Sequence, residues 1–96
     1  MTLIIIDEAE QEFAESVTYY ESKAAGLGSR FRDEVAAAVD WILRNPEIPR
    51  VRGRGYRRVN LRAFPHYVAY VLRRDTIWIV ALAHLHRRPE FWVDRI

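Results

Sequence analysis

The hydrophobic pattern of this 96-residue chain changes period once, and that change limits the folds open to it. Up to Asn45–Pro46 the apolar residues recur at steps of three and four. From Arg57 onward they alternate. The first spacing is that of amphipathic helices, and the second is that of strands with one covered face.

The helical half divides in two. Ala9, Phe13, Val17, Tyr20 and Ala24 form one stripe, with Glu8, Glu12, Glu15 and Glu21 lying off it. Asp7 is the expected N-cap, and Glu10 three residues later completes a capping-box pattern. This helix should end by Gly26. After Leu27–Gly28–Ser29, a second stripe runs through Phe31, Val35, Ala38, Val39 and Ile42, with Trp41 at its edge and Leu43 a marginal core member. Proline disfavours helical geometry in the residue before it, so Asn45–Pro46 stops the second helix. The short link makes the two helices an antiparallel hairpin. Ahead of them, Thr2–Ile6 is a continuous, largely β-branched apolar run, expected as a strand buried on both faces.

Glu47 to Gly55 holds Pro49, Gly53 and Gly55 and reads as a loop, with Arg50, Arg52 and Arg54 alternating along it. In the next strand Val59 and Leu61 face one way, and Arg58, Asn60 and Arg62 face the other. A turn at Phe64–Pro65–His66 leads to Tyr67–Arg73, with Val68, Tyr70 and Leu72 on one face. Arg74–Asp75 turns the chain again into Ile77–Ala83, the most hydrophobic strand, which ends at His84. Strands joined by such short turns make an antiparallel meander. The tail from His86 to Ile96 is too aromatic to hang loose and should pack back. The order βααβββ implies a single α+β domain over residues 1–96, two-layered, with an antiparallel sheet and a helical hairpin on one face.

Charge is segregated along the chain. Residues 1–48 carry ten acidic side chains against four basic ones, a net −6, whereas residues 49–96 carry eleven arginines against three acids, a net +8. A basic second half points to an acidic or polyanionic partner. The chain has no cysteine, which excludes a disulfide framework and thiol chemistry. Leu3–Ile6 is too short for a signal sequence or a membrane span, so a soluble, cytoplasmic protein that does not engage a membrane is expected. The acids of the second half, Asp75, Glu90 and Asp94, are scattered, and no metal site or cofactor is expected.

Several segments in this order and spacing resemble the RelE/ParE superfamily of toxins from bacterial type II toxin–antitoxin systems. They are the acidic opening of the first helix with Tyr19–Tyr20, Gly26–Leu27–Gly28 followed by Phe31, and Arg44–Asn45–Pro46. Then come Tyr56–Arg57–Arg58, Leu61, Phe64–Pro65–His66–Tyr67, Tyr70, and His84–Leu85–His86–Arg87–Arg88–Pro89 with Trp92 and Arg95. The resemblance spans almost the whole chain. It implies a growth-inhibiting toxin of the plasmid-stabilisation type, neutralised by a cognate antitoxin that wraps it, in a toxin–antitoxin hetero-oligomer. ParE-like members poison DNA gyrase; RelE-like members enter the ribosome and cut mRNA. The ParE-like branch is the closer match in the Arg57–Arg58 and His84–Arg88 segments. A small nucleic-acid-binding domain without toxicity is a further alternative.

Metal-independent RNA cleavage needs a base for the 2′-OH, cations for the phosphorane and an acid for the leaving oxygen. The resemblance to RelE-like toxins would assign these roles to Arg62, His84 and Arg87. Arginine stays protonated near neutral pH and is a poor base. Phe91 and Trp92 exchange no proton, so His84 and His86 are the titratable candidates. His84 is equally consistent with a strand-end residue satisfied by backbone; His66 and His86 are expected to be exposed. Tyr19, Tyr20, Tyr67 and Tyr70 have faces on which bases can stack. Their spacing favours packing, as for Phe13, Phe31 and Trp78, with one of Tyr19 and Tyr20 facing a partner. The binding surface for target or antitoxin is expected to comprise Tyr19, Tyr20, Arg52, Arg54, Arg57, Arg58, Arg62, Arg88 and Trp92, with an acidic, partly disordered antitoxin segment over the arginines.

Overall fold

The computed structural model describes all residues, 1–96. The order is β1 (Thr2–Ile5), α1 (Asp7–Lys23), α2 (Leu27–Arg44), β2 (Arg57–Asn60), β3 (His66–Arg73) and β4 (Thr76–His84), with a short 3₁₀ turn at Val93–Arg95. The α+β, βααβββ layout is therefore as expected. The strands lie in the order β1-β4-β3-β2. The last three form the antiparallel meander, and β1 joins β4 in parallel, with Ile4 opposite Trp78. The sheet is mixed because the helical hairpin carries the chain from β1 to the far edge. The meander then returns and ends beside β1.

That placement corrects two local expectations. β1 is an edge strand, not one buried on both faces: Ile4 and Ile5 stay exposed, while Leu3 and Ile6 pack on the core. Asp7 is also not an N-cap. Ile6 holds that position in extended geometry and no side chain caps the helix. Asp7, Glu8 and Glu10 instead place negative charge in the first turn, where the helix dipole favours it.

The hairpin is held at its bend. Gly26 takes φ +84°, a left-handed turn that suits glycine. A Cβ at Gly28 would stand 2.8 Å from the Val17 carbonyl oxygen, so the helices cross there only with glycine. Glu21 of α1 accepts from the backbone N–H of Gly26 (3.0 Å) and Gly28 (2.9 Å). A carboxylate from one helix thus occupies the N-terminus of the next, which has no acid of its own in its first turn. Ala24 falls beyond α1 and is exposed, leaving the stripe one residue shorter than its spacing implies.

Both faces of the sheet are covered. Between the helices and the sheet, Ala9, Phe31, Val35 and Ile42 of the helices meet Leu61, Phe64, Val68, Tyr70, Ile77, Ile79 and Leu82, with Phe13, Trp41 and Leu43 packed against them. On the opposite face the C-terminal tail folds back and seats Trp92 among Tyr56, Tyr67, Ala69, Val71, Val80, Ala81 and Ala83. A bulge makes this second cluster possible. Ala69 pairs with Ala81 but Tyr70 with Ile79, which leaves Val80 extra. Consecutive Val80 and Ala81 then both serve the tail face. No helix is long and apolar enough to cross a membrane.

Candidate functional surface

The arginines singled out from sequence have different fates. The Arg57 guanidinium donates to the carbonyl oxygens of Glu47 and Pro49, each at 2.8 Å, and so ties the loop after α2 to β2. Arg52 closes a small turn through its backbone: its N–H donates to Tyr56 O at 2.7 Å, and its carbonyl accepts from Gly55 and Tyr56. Arg54 reaches Asp94 of the tail at 3.2 Å. Arg58 lies 4.5 Å over the Tyr67 ring, and its Nε is buried without a partner. Arg87 lies 4.2 Å over the Phe91 ring, while Arg88 is exposed.

Arg62 is not on a strand, because β2 ends at Asn60. It stands in the turn to β3, where the Glu34 carboxylate of α2 accepts from the Arg62 and Ala63 N–H groups. The Arg62 side chain is exposed. Trp92, expected on the binding surface, is 1% exposed. Its Nε1 donates to the Tyr67 hydroxyl at 2.8 Å, and its ring meets Tyr56 edge-on at 4.5 Å. The Tyr56 hydroxyl donates to Glu90 at 2.7 Å; burial and that bond push its pKa up.

Around the His66–His84 end of β3 and β4 the aromatic rings form a row. Tyr19 is exposed and meets Tyr20 edge-on at 5.2 Å, with the Lys23 ammonium 4.9 Å from the Tyr19 ring. Tyr20 packs on Phe31, Phe64 and His66. Next come His66 and His84, 4.9 Å apart, then His84 and His86, 4.8 Å apart. His66, expected at the surface, is 5% exposed, and its Nδ1 has no partner. Burial, and then the neighbouring His84, lower its pKa to about 4. His84 Nδ1 accepts from the His86 N–H at 3.0 Å. The strand-end histidine therefore does have a backbone partner.

Two features had no clear sequence signal. One is the pair Glu12–Arg95, 83 residues apart, joined by two 3.0 Å bonds with side chains 19% and 21% exposed. Arg95 also donates to Val80 O, and Glu12 accepts from Leu82 N–H. β1 pairs no further than Ile79, so these two side chains satisfy the β4 edge that β1 leaves open. The other is an apolar groove of about 430 Å³ between the hairpin and the sheet, lined by Ile5, Ala9, Phe13, Val35, Val39 and Leu43. Glu10, Arg32 and Asp40 also border it.

The surface combines exposed charge with exposed apolar and aromatic side chains. Arg62, His84 and Arg87 share no hydrogen bond, and no three His, Asp or Glu side chains gather as metal ligands. Its exposed features are an arginine-rich loop, Tyr19 and an apolar groove.

The sheet thus carries a helical hairpin on one face and the Trp92 tail on the other, and the second half of the chain is basic. Residues 3–89 match the family model described as ParE toxin of type II toxin-antitoxin system, parDE. The chain belongs to the ParE toxin family. Among solved structures it is similar to a chain of the chromosomal ParDE toxin–antitoxin system from P. aeruginosa. The TM-score is 0.75 at 15% identity, over 90% of this chain and 97% of that one. At that identity the likeness is one of fold. No curated protein matches the chain.

Proposed function

We propose that this ParE-family toxin arrests growth by binding DNA gyrase and trapping it, and that a cognate antitoxin neutralises it. The observation that carries this is the tail. Trp92 fills the sheet face opposite the helices, against Tyr56 and Tyr67, and Glu90 and Asp94 bind Tyr56 and Arg54 beside it. A RelE-like nuclease would need that face open to RNA. Here the face is packed, and Phe91 and Trp92 stand in the tail where a phenol would be needed.

The antitoxin has two features to meet. The groove beside Phe13 and Val39 suits the apolar side of a docking helix, and the arginine-rich half suits its acidic residues. The test is supercoiling by purified gyrase with the protein added, in parallel with mRNA integrity on translating ribosomes. Inhibited supercoiling with intact mRNA is expected, and relief on adding the product of the neighbouring gene. Unchanged supercoiling with mRNA cut inside codons refutes the proposal.

A further inference from the structure

The loop between α2 and β2 exposes apolar side chains that the rest of the fold does not use. Ile48 is 69% exposed, the highest value of any large apolar residue, and Val51 is 55% exposed. Neither belongs to either apolar cluster. Yet the loop that carries them is tied down at several points. The Tyr70 hydroxyl donates to Pro46 O at 2.7 Å, and Tyr70 itself is fully buried. Arg57 holds the carbonyls of Glu47 and Pro49, and Ile48 N–H donates to Asn45 O. The Arg52–Tyr56 bridge closes the far end. A buried hydroxyl and a half-buried guanidinium thus anchor the backbone that carries two exposed aliphatic side chains. Held apolar groups lose less entropy on docking than mobile ones do.

The charges around them are also uncommitted. The ion pairs of the chain use Arg44, Arg54 and Arg95, and neither Arg50 nor Arg52 makes a side-chain hydrogen bond. We infer that the segment Glu47–Arg54 is the surface by which the toxin grips its protein target, and that the target presents an acidic patch around an apolar depression receiving Ile48 and Val51. This rests on the gyrase-binding function proposed above. Nucleic acid fits the loop less well. Its anchors are aliphatic and offer no face for a base, while Tyr56 and Trp92 nearby are buried. Two available arginines neutralise about two phosphates, far short of the roughly six to ten of a strong DNA contact. The loop is also separate from the apolar groove, because none of its residues lines that groove.

The experiment compares the wild-type chain with the double variant Ile48→Ser/Val51→Ser, using gyrase holoenzyme as the probe. Both side chains lie outside the apolar clusters, so thermal unfolding should be unchanged. Affinity for gyrase should fall about tenfold or more, and inhibition of supercoiling with it, while co-purification with the cognate antitoxin persists. Arg50→Ala should weaken binding further at low salt. If wild type and double variant bind gyrase equally, the loop is not the contact and this inference alone fails. If the double variant loses the antitoxin as well, the loop is not specific to the target and the inference is overturned. Binding to a short DNA duplex without enzyme, lost in the same variant, overturns it in favour of nucleic acid. A wild-type chain that does not bind gyrase refutes the proposed function and this inference together.

Discussion

His66 should make the fold sensitive to mild acid. Its imidazole is packed against Tyr20, Phe31 and His84, its Nδ1 meets no acceptor or donor, and its pKa is lowered to about 4 from an ordinary 6.5. The folded state therefore holds it neutral, whereas the unfolded chain takes up a proton below pH 6.5. The stabilisation is fully present above pH 6.5 and is lost as pH falls from 6.5 towards 4. Two and a half pKa units correspond to about 3 kcal/mol in total, and linkage gives about 2 kcal/mol lost between pH 7.5 and 5. His66→Phe keeps a ring in the same aromatic nest and removes the titration. Urea unfolding followed by tryptophan fluorescence, at pH 7.5 and at pH 5, measures both proteins. The carboxylates titrate in each, so the difference between the two declines isolates His66. Wild type should lose about 2 kcal/mol more than the variant. Equal declines would show that the buried imidazole is not the acid-sensitive group.

Other perturbations have equally definite outcomes. Arg95→Ala strips Glu12 and the Val80 carbonyl of a partner across the sheet edge and should cost about 3 kcal/mol, discounted towards 2 for its partial exposure; a double-mutant cycle with Glu12→Gln should show coupling, and additive losses would discount the pair. Trp92→Ala empties the centre of the tail-face cluster and should cost about 3–5 kcal/mol in denaturant unfolding; a loss under about 1 kcal/mol would mean that the tail is not part of the core. Arg62→Ala should leave unfolding unchanged while weakening toxicity on induced expression, since its side chain is exposed and only its N–H meets Glu34; loss of folding would assign that side chain a structural role. Antitoxin affinity should fall with added salt, because exposed charges are screened within about 10 Å at 0.1 M; a salt-insensitive complex would place the affinity in the apolar groove.

Much of the candidate surface was legible in the residues, but the state of each member was not. The arginines from Arg50 to Arg62 stand out in the sequence. Nothing local says that Arg57 is occupied by two loop carbonyls while Arg50 is uncommitted. Tyr19 and Tyr20 are neighbours of the same type, and only the packing of Phe64 and His66 against Tyr20 tells them apart. His66 follows a proline in a turn, which suggests a surface residue. It is buried because the turn folds under α1, against the end of β4. Ile48 and Val51 lie in a proline-rich loop and carry no periodic signal. Their meaning comes from being held in place and left exposed.

The helical stripes, the alternating strands and the split of charge between the halves follow from the chain itself. They express periods of 3.6 and 2 and depend only on near neighbours. The rest depends on residues far apart in sequence. β1 reads as a buried strand, yet it became an exposed edge because the meander returned beside it in parallel. The Val80 bulge shifts the alternation of β4 by one residue and lets the tail face accept Trp92. Glu12 meets Arg95 only because that tail crosses back to the edge where β1 stops. Local pattern selected the elements. Long-range pairing chose which of their side chains are buried, which are bonded, and which are left to meet a partner.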